Sequence, residues 1–315
     1  DVTRILKRHE ANPLLDTKDF PNVAQFFNPS PVLYKDEVIL LAPVVTHDAE
    51  GMGRDVGQTR LARSRDGIHF TVDEENWIQF DPDEFPFHTF RRQIIDNRIT
   101  QIGDTYYILT PVMSYEWDSP VAVLGKTTDF VHYEKIEIVS MPKNRGASLF
   151  PEKINGKYWK LDRPGGGDGG TGEIWISSSP DLIHWGCFRP VLLAGYRFWN
   201  MQKIGPTPPI KTEHGWLDIM HGVFSPAGGT YYYIGAILLD LEEPWKVIGK
   251  TNGYLLKPEE PYELHGNCDN TVFPCGAIPK YELDELWLYY GATDQYVCLA
   301  TGCLSEIVTA CIEGW

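Results

Sequence analysis

The chain has 315 residues, 43% of them hydrophobic and 23% charged, with a net charge of −15. That charge repels a polyanion such as nucleic acid as a whole-molecule partner, although an acidic protein can still hold a local basic pocket for a small anion. No run of 18 apolar residues occurs, so no membrane-spanning helix is expected.

In chain order, five segments share one plan: a short apolar strand, a polar turn, then a strand rich in Tyr, Trp and Leu. They are PVLYKDEVILLAP (31–43), ITQIGDTYYILTP (99–111), PEKINGKYWKLDRP (151–164), PIKTEHGWLDIMHG (209–222) and AIPKYELDELWLYYG (277–291). Their turns carry Lys-Asp, Gly-Asp, Asn-Gly, His-Gly and Asp-Glu, which suits β-hairpins. A second repeat runs alongside: SRDGIHF (64–70), TTDFVHY (127–133) and SPDLIHW (179–185) each read Ser/Thr, any residue, Asp, two residues, His, aromatic. These copies are expected to mark the turn before an outer strand, with Asp starting the turn, a structural His, and the aromatic ring packed between modules. No long stretch with apolar residues at i, i+3, i+4, i+7 is found. Aromatic residues reach 13%, with Trp 10 and Tyr 16, in keeping with strand packing and with platforms for sugar rings. Five hairpin modules, each followed by more strand-like sequence, predict an all-β fold: one five-bladed β-propeller over residues 1–315.

The six cysteines form no CxxC pair and no Cys/His spacing that suggests zinc. They read as buried reduced thiols of a cytoplasmic protein; a disulfide in the last fifty residues is the other reading. RPGGGDGGTGE (163–173) is Gly-rich but lacks the Gly-Lys-Ser/Thr ending of a nucleotide loop, and is expected to be a loop between strands or a flap over a substrate mouth.

Blades of a propeller converge on an axis, so polar residues flanking the five hairpins should meet although far apart in sequence. In order, the flanks supply Asn28 before the first hairpin, Asp96 and Arg98 before the second, and Arg145 before the third with Asp162 and Arg163 at its end. They continue with Lys203 before the fourth and His221 at its end, Tyr232 shortly after, Asn270 before the fifth and Asp294 at its end. Arg145, Arg163, Lys203 and His221, with Tyr232, make an anion pocket, since Arg and Lys neutralise phosphate and Arg can bind two of its oxygens. Asp96, flanked by Ile94 and Ile95, is expected to be partly desolvated, with a raised pKa suited to donating a proton; an ion pair with Arg98 is the alternative. Inverting glycoside cleavage by water needs two carboxylates, whereas phosphate is already an anionic nucleophile and needs one acid and a cationic cradle.

These residues resemble glycoside hydrolase family 130, the β-mannoside phosphorylases and mannosidases. The similarity covers nearly the whole chain and is most specific in FNPSPVLY, DNRITQIGDTYY, LFPEKINGKYW, SPDLIHWG, KIGPTPPIKTEHGWLDIMHGV, YYYIGAILLDLEEP, NTVFPCGAI and YYGATD. The resemblance implies a five-bladed propeller and an inverting mechanism with inorganic phosphate as co-substrate and no metal or organic cofactor. It implies Asp96 as the acid, acting directly or through a sugar hydroxyl, and Arg145, Arg163, Lys203, His221 and Tyr232 as phosphate ligands. Sugar contacts fall on Asn28 and Asp294, with Phe273 near the leaving sugar; Arg98 is counted with them. The products would be α-mannose 1-phosphate and a shortened sugar.

The chain departs from the family pattern in two places. Ile95 and Asn97 stand where Glu and Pro usually flank the acid, and Ala42-Pro43 stand where an Arg usually follows the first hairpin, with Arg54, Arg91 or Arg92 as candidate replacements. A mannosidase using Glu152 or Glu173 as base, and a sugar-binding propeller without turnover, are the rival expectations. A homo-oligomer stays open.

Overall fold

In the computed structural model the described residues are 1–47, 56–90, 92–114, 119–165, 172–195 and 202–314. Five antiparallel sheets follow one another along the chain, preceded by a two-residue strand, β1 (Lys7–Arg8). In blade 1, β2 (Val23–Phe26) and β3 (Ser30–Tyr34) both pair with β4 (Glu37–Thr46), followed by β5 (Gln58–Ser64) and β6 (Thr71–Val72). Blade 2 is β7 (Arg98–Ile102), β8 (Thr105–Val112), β9 (Val121–Thr127) and β10 (Glu134–Ile138). Blade 3 is β11 (Ser148–Leu149), β12 (Tyr158–Asp162), β13 (Ile174–Ser179) and β14 (Gly186–Leu192). In blade 4, β15 (Lys203–Gly205) and β16 (Ile210–Thr212) share β17 (Gly215–Phe224), then β18 (Tyr231–Leu239) and β19 (Val247–Lys250). Blade 5 is β20 (Val272–Lys280), β21 (Glu285–Ala292) and β22 (Tyr296–Cys303), with β1 as its fourth strand.

The second strands explain why these sheets stack face to face. Every residue of β4 from Val38 to Val45 is buried, because both faces are covered. Alternate side chains go to different neighbours: Ile39 and Leu41 pack with Ile99 and Ile108 of blade 2, while Leu40 and Ala42 pack with Tyr289 and Leu299 of blade 5. The same division recurs between blades 2 and 3 (Leu109, Leu149), 3 and 4 (Leu161, Trp216) and 4 and 5 (Leu217, Leu288). Five sheets with five shared apolar seams close a ring, the five-bladed propeller expected from the hairpins.

The Ser/Thr-x-Asp-x-x-His repeats join the third strand of blades 1, 2 and 3 to the fourth. In each, one Asp carboxylate oxygen accepts the N–H of the residues two and three further on, and the other lies 2.7 Å from the His Nδ1 (Asp66–His69, Asp129–His132, Asp181–His184). The aromatic residue packs across a seam: Phe70 of blade 1 lies 5.9 Å from Tyr289 of blade 5, and Trp185 of blade 3 packs with Leu109 of blade 2.

Two expectations are corrected. A helix, α1 (Leu304–Gly314), ends the described chain and buries Leu304, Ile307, Val308 and Cys311, which is i, i+3, i+4, i+7 spacing. It packs on β18, β19 and β22. Its Ile, Val and Thr content is strand-like, and it follows a strand without a turn, which hid the period. In blade 3 the innermost strand is Ser148–Leu149, upstream of the 151–164 segment, within which only Ile154 and Lys157 bridge ahead of β12. The six cysteines are all free thiols; Cys275, Cys298 and Cys311 are buried and Cys187 is exposed.

Candidate active site

Each blade's first strand begins, and its second ends, at the same end of the axis, and a cavity of about 150 Å³ opens there. It is lined by Asn28, Asp96, Arg145, Arg163, Lys203, Tyr232, Phe273 and Asp294, together with Cys268 and Thr271. Eight of the ten residues that the sequence assigns a catalytic, phosphate or sugar role therefore meet, from all five blades. A larger hollow of about 470 Å³ between Asp1, Arg4, Glu306 and Glu313 gathers none of them.

Asp96 sits just before β7 with φ +55°, a left-handed conformation that Asp tolerates better than most residues. It is 5% exposed. Asn28 Nδ2 donates to its Oδ1 at 2.8 Å, and Arg145 Nη2 lies 3.6 Å from Oδ2. Arg145 Nη1 donates to Gln93 Oε1 at 3.0 Å. Asp294, also left-handed at φ +52°, lies across the cavity at the end of β21, its carbonyl accepting from Asn267 Nδ2.

Arg163 is buried, and burial together with the charges of Arg145 and Arg98 pushes its guanidinium down to about 10. It stays charged at neutral pH while carrying the repulsion of its neighbours, and an anion would relieve both costs. Its side chain passes where a Cβ on Gly205 would stand 2.8 Å from Arg163 Cδ and 2.3 Å from His221 Cε1, so only glycine fits there. Lys203 Nζ lies 5.5 Å from the Tyr232 ring.

His221 and Arg98 do not line the cavity; both lie beneath it. The His221 ring packs against Phe273, ring centres 4.3 Å apart and planes tilted by 36°, and is fully buried, with neither ring nitrogen partnered among the described residues. Burial first, then the charges of Arg163, Arg98 and Lys203, hold it well below its ordinary pKa. It is neutral at pH 7 and offers one N–H. Arg98, expected among the sugar contacts, is 1% exposed, and its guanidinium donates to the carbonyls of Asp96 (2.7 Å) and Pro206 (3.2 Å). It ties blade 2 to blade 4 through main chain, and the Asp96 carboxylate bonds Asn28 and faces Arg145 instead.

Asn97, where the family pattern has Pro, is fully buried; its Nδ2 donates to Thr59 Oγ1 and its Oδ1 accepts from Thr110 Oγ1, both at 2.7 Å. Hydrogen bonds to β5 of blade 1 and to β8 of its own blade restrain this turn in place of a ring. Ala42 and Pro43 lie inside β4, with Ala42 opposite Arg60. Arg92 pairs through its backbone with Met113 and does not line the cavity; Arg54 and Arg91, like residues 166–171 of the Gly-rich segment, lie outside the described residues. Asn270 does not reach the cavity; its carbonyl accepts the Tyr232 N–H at 3.0 Å. Cys268 and Thr271, on either side of the flank residue Asn270, line the cavity although the sequence gives them no role.

Taken as chemistry, the cavity sets three cations around a space that one carboxyl group borders and a second faces. That is a cradle for an oxyanion beside a proton donor.

The family model for glycoside hydrolase family 130, described as β-1,4-mannooligosaccharide phosphorylase, matches residues 2–313. The chain is 32% identical to β-1,4-mannooligosaccharide phosphorylase of Ruminococcus albus, covering 98% of this chain and 91% of that protein. It is 39% identical to β-1,2-mannobiose phosphorylase of Listeria innocua over 79% of this chain and 67% of that protein. The solved structure of a Listeria innocua β-1,2-mannobiose phosphorylase, in complex with β-1,2-mannobiose, superposes with a TM-score of 0.85, covering 97% of this chain and 99% of that one at 32% identity.

Proposed function

The chain belongs to glycoside hydrolase family 130, and from that premise we propose that it is an inverting phosphorylase that cleaves β-mannosides with inorganic phosphate to give α-mannose 1-phosphate. The observation that carries this reading is the meeting of Arg145, Arg163 and Lys203 in one cavity with Asp96. Phosphate held by these cations, with Tyr232 as a hydrogen-bond donor and the neutral His221 ring packed beneath, attacks the anomeric carbon of a mannose held by Asn28 and Asp294. The glycosidic C–O bond breaks as the new O–C bond forms on the opposite face, and Asp96 supplies the proton to the leaving oxygen, directly or through a sugar hydroxyl. Phe273 borders the leaving sugar.

Hydrolysis by inversion needs a carboxylate base besides the acid. Glu152 is ion-paired with Lys211 and Glu173 accepts from Trp175 Nε1 at 3.2 Å; neither lines the cavity. The test is the product. Incubation with β-1,2- and β-1,4-linked mannobiose should release mannose 1-phosphate only when phosphate is supplied. Free mannose formed at the same rate with and without phosphate would overturn the reading.

A further inference from the structure

Behind the cradle, around β12 and β13, lies a buried polar cluster none of whose members lines the cavity. Lys160 is fully buried on β12. Its ammonium bonds the Asp162 carboxylate, donates to Ser177 Oγ at 3.0 Å and lies 4.8 Å from the Trp185 ring. Asp162 also accepts from Ser177 Oγ at 2.6 Å and from Asn144 Nδ2 at 2.7 Å. The other end of Asn144, its Oδ1, accepts the main-chain N–H of Arg163 at 3.2 Å.

Asn144 therefore stands at a junction. It precedes Arg145 in sequence and grips the peptide of Arg163. Around it the Arg145 N–H donates to the Arg163 carbonyl at 3.3 Å, and the Gly165 N–H donates to the Lys143 carbonyl at 3.0 Å. Two antiparallel segments, each carrying one cradle arginine, are cross-tied at the main chain and pinned to one carboxylate.

A buried ion pair contributes little net stability relative to apolar side chains of the same shape. What this one supplies is direction: each polar end is aimed, and the aim converges on the arginine-bearing peptides. The need for such a tie follows from charge. Arg145 and Arg163 repel each other across the cradle, and two unrestrained guanidinium groups would move apart.

We propose that Lys160, Asp162 and Asn144 are positioning residues that hold Arg145 and Arg163 at the spacing an oxyanion requires, so that they set phosphate affinity and not sugar affinity. This rests on the phosphate reading given above. Asn144→Ala removes the junction and leaves both arginines. Its KM for phosphate, and its dissociation constant for phosphate without sugar by calorimetry, should rise about tenfold or more, because a displaced binding group forfeits its alignment. The KM for mannobiose should stay near the wild-type value. Asn144→Ser, whose side chain is too short to reach Asp162, carries the same expectation where the Ala variant does not fold. His184→Ala, in the exposed outer turn of the same blade, should lower the melting temperature and move neither KM. The positioning role is overturned if a folded Asn144 variant keeps wild-type phosphate affinity, or if both KM values rise together with the loss of stability. Failure of the phosphate reading is separate: the wild-type enzyme itself would then form no sugar phosphate.

Discussion

Single side chains in this cavity acquire their properties from depth. Asp96 and Arg98 are two residues apart, yet one carboxylate borders the cavity while the guanidinium is spent on two carbonyls below it. If Asp96 donates the proton, Asp96→Asn should lower turnover by about 10²–10⁴ while calorimetry still detects phosphate binding; turnover within a few-fold of wild type would remove it from that role. His221 carries a pH signature of its own. Its folded pKa lies below the unfolded value of about 6.5, so between the two the unfolded chain binds a proton that the folded one does not. The stability it contributes is present above about pH 6.5 and is lost as pH falls below that value. In urea titrations without phosphate, His221→Asn should flatten the slope of unfolding free energy against pH between about 6.5 and 5. An unchanged slope would show that the buried neutral ring is not what titrates.

At the scale of elements, ring closure rests on a strand of two residues. Arg8 on β1 donates Nε and Nη2 to the two carboxylate oxygens of Glu263, each at 2.8 Å, and Nη2 also donates to the Lys257 carbonyl. Glu263 is fully buried and accepts further from Tyr290 Oη and from the N–H groups of Glu259 and Glu260. This bidentate pair joins the N-terminal strand to the segment that leads into β20. Arg8→Ala leaves a buried carboxylate without its cation and should cost about 3–5 kcal/mol in chemical denaturation. A loss below about 1 kcal/mol would mean that the two backbone pairings of β1 suffice. The outer His–Asp turns do different work: they order the polypeptide between third and fourth strands on blades 1 to 3 and carry no part of the cavity.

For the whole molecule, the cavity draws on every blade, so a bound anion couples them. Phosphate at about a hundred times its dissociation constant should stabilise the folded protein by about 2.7 kcal/mol and raise the melting temperature, whereas chloride at equal ionic strength should not. A melting temperature indifferent to phosphate would contradict a cradle formed before sugar binds. Much of this arrangement was legible in the chain alone. The nearly continuous burial of β4, β8 and β21 and the recurring turns specify blades, because a strand covered on both faces has to be apolar nearly throughout. The hairpin flanks specify which polar residues approach the axis, because every blade enters it in the same direction. Depth was not legible. Whether a flanking side chain lines the cavity, as Arg163 does, or lies under it, as His221 and Arg98 do, depends on the neighbouring blade: on the space left by Gly205, on the carbonyl of Pro206, on the ring of Phe273. Those neighbours are more than a hundred residues from Arg98, and a local pattern carries no record of a partner that far along the chain. The amino-acid order thus determined the modules and their polar ends, and only the closed ring decided which charges share a cavity, since their separation is set by packing between blades and not by spacing within one.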